Sequence, residues 1–190
     1  MRNVILTDID GVVVEWLAAF KHWMEVEHNQ IMSDVQSFDM LVKYPNLEPK
    51  QVFACINEFN ESDHISNLIP TNDSYEVIND LATKGFTFIA ISSLSDKPNA
   101  LANRTANLNH YFGNAFSEVI CLKTGMKKDE ILAKYHDALC WVEDHPVNAD
   151  AGVALDIPSF LMNQHHNKGQ ETKAMRVDSW KDIALWLKTF

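Results

Sequence analysis

Asp8 and Asp10 stand one residue apart, after the apolar run Val4-Ile5-Leu6-Thr7 and directly before Gly11. Two acids so close repel each other, and the arrangement calls for a bound cation. Three further reactive clusters follow: Ser92-Ser93 after the apolar run Phe86 to Ile91, Lys127-Lys128 at a helix start, and Glu143-Asp144 after Leu139 to Val142. A nucleophile, a second acid, a hydroxyl, an ammonium and another acidic pair suffice to hydrolyse a phosphate monoester through an aspartyl-phosphate. Asp8 would attack phosphorus. Asp10 would protonate the leaving oxygen and then deprotonate the attacking water. Mg²⁺ would sit on the Asp8 carboxylate, the Asp10 backbone carbonyl and Asp144, with Glu143 nearby. Ser92 and one lysine would neutralise the transferring phosphoryl group, with Ser93 as an adjoining contact. Lys128 suits the helix start better, and Lys127 is one residue away.

Plainer readings exist for each cluster. An EF-hand loop counted from Asp8 fails, because its sixth residue is Val13 and its twelfth is Ala19. Taken singly, Ser92-Ser93 is a strand-end turn, the lysines a solvated helix face, and Glu143-Asp144 the start of a helix. Their order and their common place at strand ends favour one joint site.

The elements that must position these groups read as alternating strands and helices. Val13, Trp16, Leu17, Phe20 and Trp23 fall at helical spacing, and the less regular stretch to Asp63 holds a short helix around Val52 to Phe59. Helices are then expected from Asp73, over Lys97 to His110, over Lys128 to His136 and from Pro146. A last amphipathic helix carries Trp180, Ile183, Trp186 and Leu187, capped by Asp178. Asp73 and Glu76 have capping-box spacing. Strands are expected at Val4 to Thr7, Phe86 to Ile91, Glu118 to Leu122, Leu139 to Val142 and Ser159 to Met162. This alternation predicts an α/β fold with a doubly wound parallel sheet, whose carboxyl edge gathers the strand ends. Residues 1–12 and 70–190 form the expected catalytic core, and residues 13–69 a mostly helical cap inserted after the first strand.

Composition narrows the partners. The 190 residues carry a formal net charge of −10 and no basic stripe, which argues against stable nucleic-acid binding. A small phosphorylated substrate remains compatible, since a metal ion inverts the local field. No run approaches the roughly 20 apolar residues of a membrane span. Cys55, Cys121 and Cys140 read as free thiols of a reducing compartment. Met1-Arg2-Asn3 runs straight into the first strand, which leaves no room for a signal peptide. A cytoplasmic, soluble protein of open oligomeric state is expected.

The order Asp8-x-Asp10-Gly-Val, Ser92 after an apolar strand, Lys127/Lys128 and Glu143-Asp144 resembles the haloacid dehalogenase superfamily of phosphohydrolases over almost the whole chain. Dehalogenases lack the second acid, so Asp10 points to phosphatase chemistry, and the insertion lies where this superfamily places a small cap domain. Within the superfamily, Asp-Ile-Asp-Gly-Val, Ile91-Ser92-Ser93 and Tyr111-Phe112-Gly113-x-x-Phe116 are similar to the 5′(3′)-deoxyribonucleotidases. Glu143-Asp144 departs from that family's usual Asp-Asp. The resemblance implies a nucleoside monophosphate as substrate, with its base among cap aromatics. Trp16, Phe20, Trp23, Phe38 and Tyr44 are the candidates, and Phe38 and Trp16 are the two assigned to the substrate. A phosphosugar phosphatase or mutase, a 3′-phosphatase on nucleic-acid ends and a non-catalytic binding module are the competing expectations. His165-His166 is read as a polar loop, Asn163 and Asn167 have no assigned part, and Arg104 is expected on a solvated helix face.

Overall fold

The computed structural model describes residues 3–189; Met1, Arg2 and Phe190, at the ends of the expected core segments, lie outside the described residues. The first strand β1 (Val4–Thr7) is short and apolar and runs into the Asp8–Gly11 turn. Five helices and turns follow before the next strand: α1 (Trp16–His28), α2 (Met40–Lys43), α3 (Pro49–Glu61), a 3-10 turn (Asp63–Asn67) and α4 (Ser74–Thr83). The rest alternates: β2 (Thr87–Ser92), α5 (Pro98–Phe112), β3 (Phe116–Cys121), α6 (Asp129–Leu132), β4 (Cys140–Glu143), α7 (Pro146–Ala154), β5 (Ser159–Met162), β6 (Met175–Val177) and α8 (Trp180–Leu187).

All six strands are parallel, in the order β3-β2-β1-β4-β5-β6. The sheet is therefore doubly wound, and its winding reverses between β1 and β4. Ligands of such sheets bind outside the strand ends at this reversal. β1, β2 and β4 bury nearly every side chain, as central parallel strands covered on both faces must. On one face Ile5, Phe88, Ala90, Val142 and Phe160 pack with α4, α5, α8 and the aromatic interior of α1 and α3. On the other, Leu6, Ile89, Ile91 and Trp141 pack with Leu132, Ala138 and Ile157.

The insertion leaves and rejoins the sheet side by side. Glu15 N–H donates to the Ile69 carbonyl at 2.9 Å and Thr71 N–H to the Val13 carbonyl at 2.9 Å. Its interior is aromatic: Phe20 stacks on Trp16 at 4.8 Å and meets Phe59 and Tyr44 edge-on. Among the described residues no helix is long and apolar enough to cross a membrane.

Four local expectations need correction. β6 is a sixth strand, three residues long at the sheet edge, too short to leave a periodic signal. The helix expected over Lys128 to His136 is one α-helical turn followed by a 3-10 turn (Ala133–Tyr135). Tightening keeps Ile131, Leu132 and Tyr135 on the sheet while the chain drops into β4. The last helix is capped by Ser179, whose hydroxyl forms a reciprocal capping box with Asp182, and not by Asp178. Asp73 makes no capping bond to α4; its carboxylate instead accepts from the N–H groups of Trp180 and Lys181, 3.2 and 2.9 Å away. A long-range partner has taken a side chain that local spacing assigned to its own helix.

Candidate active site

β1 delivers Asp8 to the sheet edge with its N–H bonded to the Val142 carbonyl of β4 at 2.8 Å. The chain then turns sharply, the Ile9 carbonyl accepting from Val13 and Val14. Gly11 has φ +82°, and a Cβ there would lie 2.3 Å from Asp144 Oδ2. Both the backbone angle and the close approach require glycine. The Gly11 carbonyl accepts from Gln164 Nε2 at 2.6 Å, which ties the turn to the segment after β5.

Beside β4 three carboxylates gather at one ammonium, which pairs with two of them. Lys128 Nζ lies 2.7 Å from Asp8 Oδ1 and 3.0 Å from Glu143 Oε1, fully buried with both partners. Oxygens of Asp8, Glu143 and Asp144 come within 4.8 Å of one another. Glu143 is saturated. Its Oε1 accepts from Lys128 and from Asn148 Nδ2 (2.7 Å), and its Oε2 from the N–H groups of Asp144 (2.7 Å) and His145 (3.2 Å). Burial opposes its ionisation, but Lys128 and these bonds outweigh burial and hold the carboxyl down at about 2. Burial, then the charge of Glu143, pushes Asp8 and Asp144 well above the usual carboxylate range. Asp8 and Glu143 in turn raise Lys128 against its own burial, so it stays an ammonium.

This side has three acids for one lysine, which pairs with Asp8 and Glu143, and burial beside the Glu143 charge leaves Asp8 and Asp144 with raised affinity for protons. A hard divalent cation fits that donor set: carboxylate oxygens, a negative excess, and a turn whose glycine leaves room against Asp144. Asp144 is held in place from behind. Asn167 Nδ2 donates to its carbonyl at 2.7 Å, and His166 Nε2 lies 3.3 Å from Oδ2.

Beside β2 the balance differs. Asp10 is partly exposed; Ser92, the last residue of β2, donates its hydroxyl to Asp10 Oδ2 at 2.8 Å, and the Arg104 guanidinium pairs with Oδ1. Arg104 departs from its expected solvated position: it is fully buried. Its face was readable, because Ala100, Arg104, Asn107 and Leu108 recur at three- and four-residue spacing and are all buried.

The remaining candidates divide. Ser93 is half-buried and donates to the Met126 carbonyl at 2.8 Å, next to the two lysines. Lys127 is exposed while its neighbour Lys128 reaches the acids. Phe38, 52% exposed, meets the imidazoles of His145 and His166 edge-on at 4.7 and 5.3 Å. It stands at the rim of the acidic side. Trp16 donates its indole N–H to Asn60 Oδ1 at 2.9 Å, and Asn60 donates to the Leu94 carbonyl at 2.7 Å. That chain links the insertion to the loop after Ser92. Phe20, Trp23 and Tyr44 are interior. Asn163 holds Asp178 and Arg176, so its part is structural.

A doubly wound sheet with paired acids at its winding reversal defines the class: a phosphatase of the haloacid dehalogenase superfamily. Residues 2–189 match the family described as 5′ nucleotidase, deoxy (pyrimidine), cytosolic type C, and the chain belongs to that family. It is similar to an uncharacterized 32.4 kDa protein of Enterobacteria phage T4, 32% identical over 192 residues, which cover 96% of this chain and 69% of that one. Similar folds include a protein described as a predicted phosphatase from Clostridium acetobutylicum (TM-score 0.69, 11% identity, all of both chains). They also include CbbY from Rhodobacter sphaeroides in complex with phosphate (0.64, 11% identity, 96% of each chain). A HAD family hydrolase from Deinococcus radiodurans with bound phosphate and sodium is a third (0.62, 16% identity, 98% of this chain and 95% of that one). At these identities the solved structures show the fold.

Proposed function

We propose that the protein hydrolyses nucleoside 5′-monophosphates, with deoxyribonucleotides favoured, through a phosphoryl group carried on Asp8. The observation that carries the reading is the pairing of Asp8 Oδ1 with the buried Lys128 ammonium at 2.7 Å, beside a second carboxylate, Asp144, that lacks its own cation. Family membership supports the nucleotide as substrate.

In the first half-reaction Asp8 attacks phosphorus, the ester P–O bond breaks, and a proton on Asp10 goes to the departing alcohol oxygen. In the second, a water oxygen attacks phosphorus while Asp10 takes the water proton, and the bond to Asp8 breaks. Phosphate leaves and Asp10 is protonated again. Lys128 holds Asp8 in place and offsets charge on the phosphoryl oxygens, with the Ser92 hydroxyl as a second donor. Mg²⁺ would be held by Asp8, Asp144 and the Asp10 carbonyl, and would supply charge neutralisation at the phosphoryl group. Glu143, with all four acceptor positions engaged, serves by fixing Lys128 and the Asp144 and His145 amides. Residues 13–69 act as the cap, with Phe38 as the first contact for a base and Trp16 fixing the cap against the Ser92 loop. Ser93 and Lys127 border the phosphate.

Phosphate release from a panel of nucleoside 5′- and 3′-monophosphates and sugar phosphates tests this, with Mg²⁺ or chelator, using wild type and Asp8→Asn. Metal-dependent turnover on deoxynucleotides that vanishes in Asp8→Asn supports every part. Turnover confined to sugar phosphates keeps the chemistry and removes the nucleotide. Absence of release from every member of the panel, with the protein folded, overturns catalysis.

A further inference from the structure

Arg104 is buried completely in the middle of α5, yet among the described residues only one of its three nitrogens has a partner. Nη2 pairs with Asp10, while Nε and Nη1 have no hydrogen-bond partner. A buried guanidinium with two unmet donors is a stability cost that an apolar side chain of similar shape would avoid. Its neighbours on α5 explain themselves differently. Asn103 donates to the Ser62 carbonyl at 3.0 Å and Asn107 to the Leu68 carbonyl at 2.8 Å, both fastening the end of the insertion. Arg104 fastens nothing of the kind; its partner among the described residues is the second acid of the motif.

The two anchors of Asp10 are not equivalent. Both carboxylate oxygens accept in this structure, Oδ1 from Arg104 and Oδ2 from Ser92. In the reading above, the Ser92 hydroxyl is also a donor to the phosphoryl group. One hydroxyl has one proton, so a bound phosphoryl oxygen takes it from Asp10 and frees Oδ2. Arg104 lies behind, fully enclosed, and keeps Oδ1.

We infer that Arg104 is the positioning residue for the proton-transfer acid. It holds Asp10 in its working orientation after substrate has claimed Ser92, so that the freed Oδ2 faces the leaving oxygen and then the attacking water. The inference rests on the phosphatase reading and adds to it a residue outside the acid and lysine set. It also explains the position's chemistry: a fork with a fixed plane orients a carboxylate, and a lysine cannot do so equally well.

The test uses Arg104→Met and Arg104→Lys with two substrates, the nucleotide that wild type turns over best and p-nitrophenyl phosphate. Nitrophenolate leaves without a proton, so only the nucleotide needs Asp10 in the first half-reaction, whereas both need it in the second. For Arg104→Met, kcat on the nucleotide should fall by about 10- to 100-fold with KM within about twofold. On p-nitrophenyl phosphate the variant should show a rapid nitrophenolate burst of about one per enzyme followed by slow turnover, because the phosphoenzyme forms at the normal rate and waits for water. Arg104→Lys should recover part of kcat. The melting temperature of Arg104→Met should equal or exceed that of wild type, since Asp10 retains access to solvent at 22% side-chain exposure and two unmet donors are gone. A lowered melting temperature with burst and kcat reduced by one common factor would assign Arg104 to the scaffold and overturn the inference. So would full kcat on both substrates. If wild type releases no phosphate from any substrate, the phosphatase reading fails first and this one with it. An active wild type with an indifferent Arg104→Met sinks this one alone.

Discussion

The two sides of β1 solve the same problem in opposite ways. Toward β4, Asp8, Glu143 and Asp144 are enclosed around Lys128, so three acids stand against one ammonium, with the His166 imidazole beside Asp144. Toward β2, Asp10 is matched one to one by Arg104, with Ser92 completing its oxygens and water still within reach. Two acids separated by one residue thus occupy unlike surroundings. The turn at Gly11 follows directly, and the sheet places β4 on one flank and β2 on the other. On the proposed mechanism, the acid that would act as nucleophile is enclosed beside a cation, and the acid that would gain and lose protons keeps solvent.

Breaking the charged side should cost most. Asp8→Asn is expected to lower phosphate release at least about 10⁴-fold, because it removes the proposed carrier of the phosphoryl group. Gly11→Ala should come next. Its Cβ would collide with Asp144 Oδ2, and φ +82° is strained for alanine by about 1–2 kcal/mol. Isothermal titration should show Mg²⁺ affinity reduced at least about 10- to 100-fold, with the circular dichroism spectrum unchanged. Wild-type affinity in Gly11→Ala would mean the cation does not sit against Asp144. On the neutral side, Ser92→Ala removes a single donor and should lower kcat by about 10²-fold, less than the loss from the nucleophile.

The same contrast was partly legible in the sequence, and the division is physical. Asp8, Asp10, Ser92 and Glu143-Asp144 were readable because each stands at or just past the end of a buried strand, and Lys128 because it starts the helix that follows a strand; parallel order sends these ends to one edge. The strands themselves were apolar runs that admit few other readings. Arg104 was expected on a solvated helix face, and its face is buried. A charged residue on a buried face looks like an exception until its partner, 94 residues away in sequence, is known. Asp73 failed for the same reason, having been drawn to α8. The edge strand β6 and the tightened turn after Leu132 depend on how the chain returns to the sheet, which no local pattern records.

Charge excess on the β4 side has a consequence for stability. In the metal-free protein Asp8 and Asp144 are raised above their ordinary 3.8, so the folded state holds protons that the unfolded chain has released. Such groups favour folding at low pH and lose that contribution as pH rises from about 4 through their folded values. Glu143 works the other way: held at about 2 against an ordinary 4.5, it contributes above that value and loses the contribution as pH falls toward 2. In chelator the melting temperature should therefore fall as pH rises above the ordinary carboxylate values, where Glu143 no longer changes. Added Mg²⁺ should raise the melting temperature by an amount that grows with pH over this window, since the ion binds the ionised pair. An Mg²⁺ effect independent of pH would mean that Asp8 and Asp144 are already ionised and that the ion displaces no protons.

The smallest expected effect lies at the rim, where the comparison can be sharpened. Phe38 comes from the insertion, yet it rests on His145 and His166, which flank Asp144 on the charged side. Burial lowers both imidazoles, so neither adds a positive charge there near neutral pH. Phe38 thus either offers its exposed ring to the substrate base or shields the imidazoles from water, and the kinetic constants separate these. Loss of one aromatic contact worth about 1 kcal/mol should raise KM about fivefold in Phe38→Ala with kcat unchanged, for nucleotides and not for p-nitrophenyl phosphate, which has no base. If kcat falls equally on both substrates while KM holds, the ring belongs to the charged side's enclosure. The base contact would then have to be sought elsewhere on the insertion.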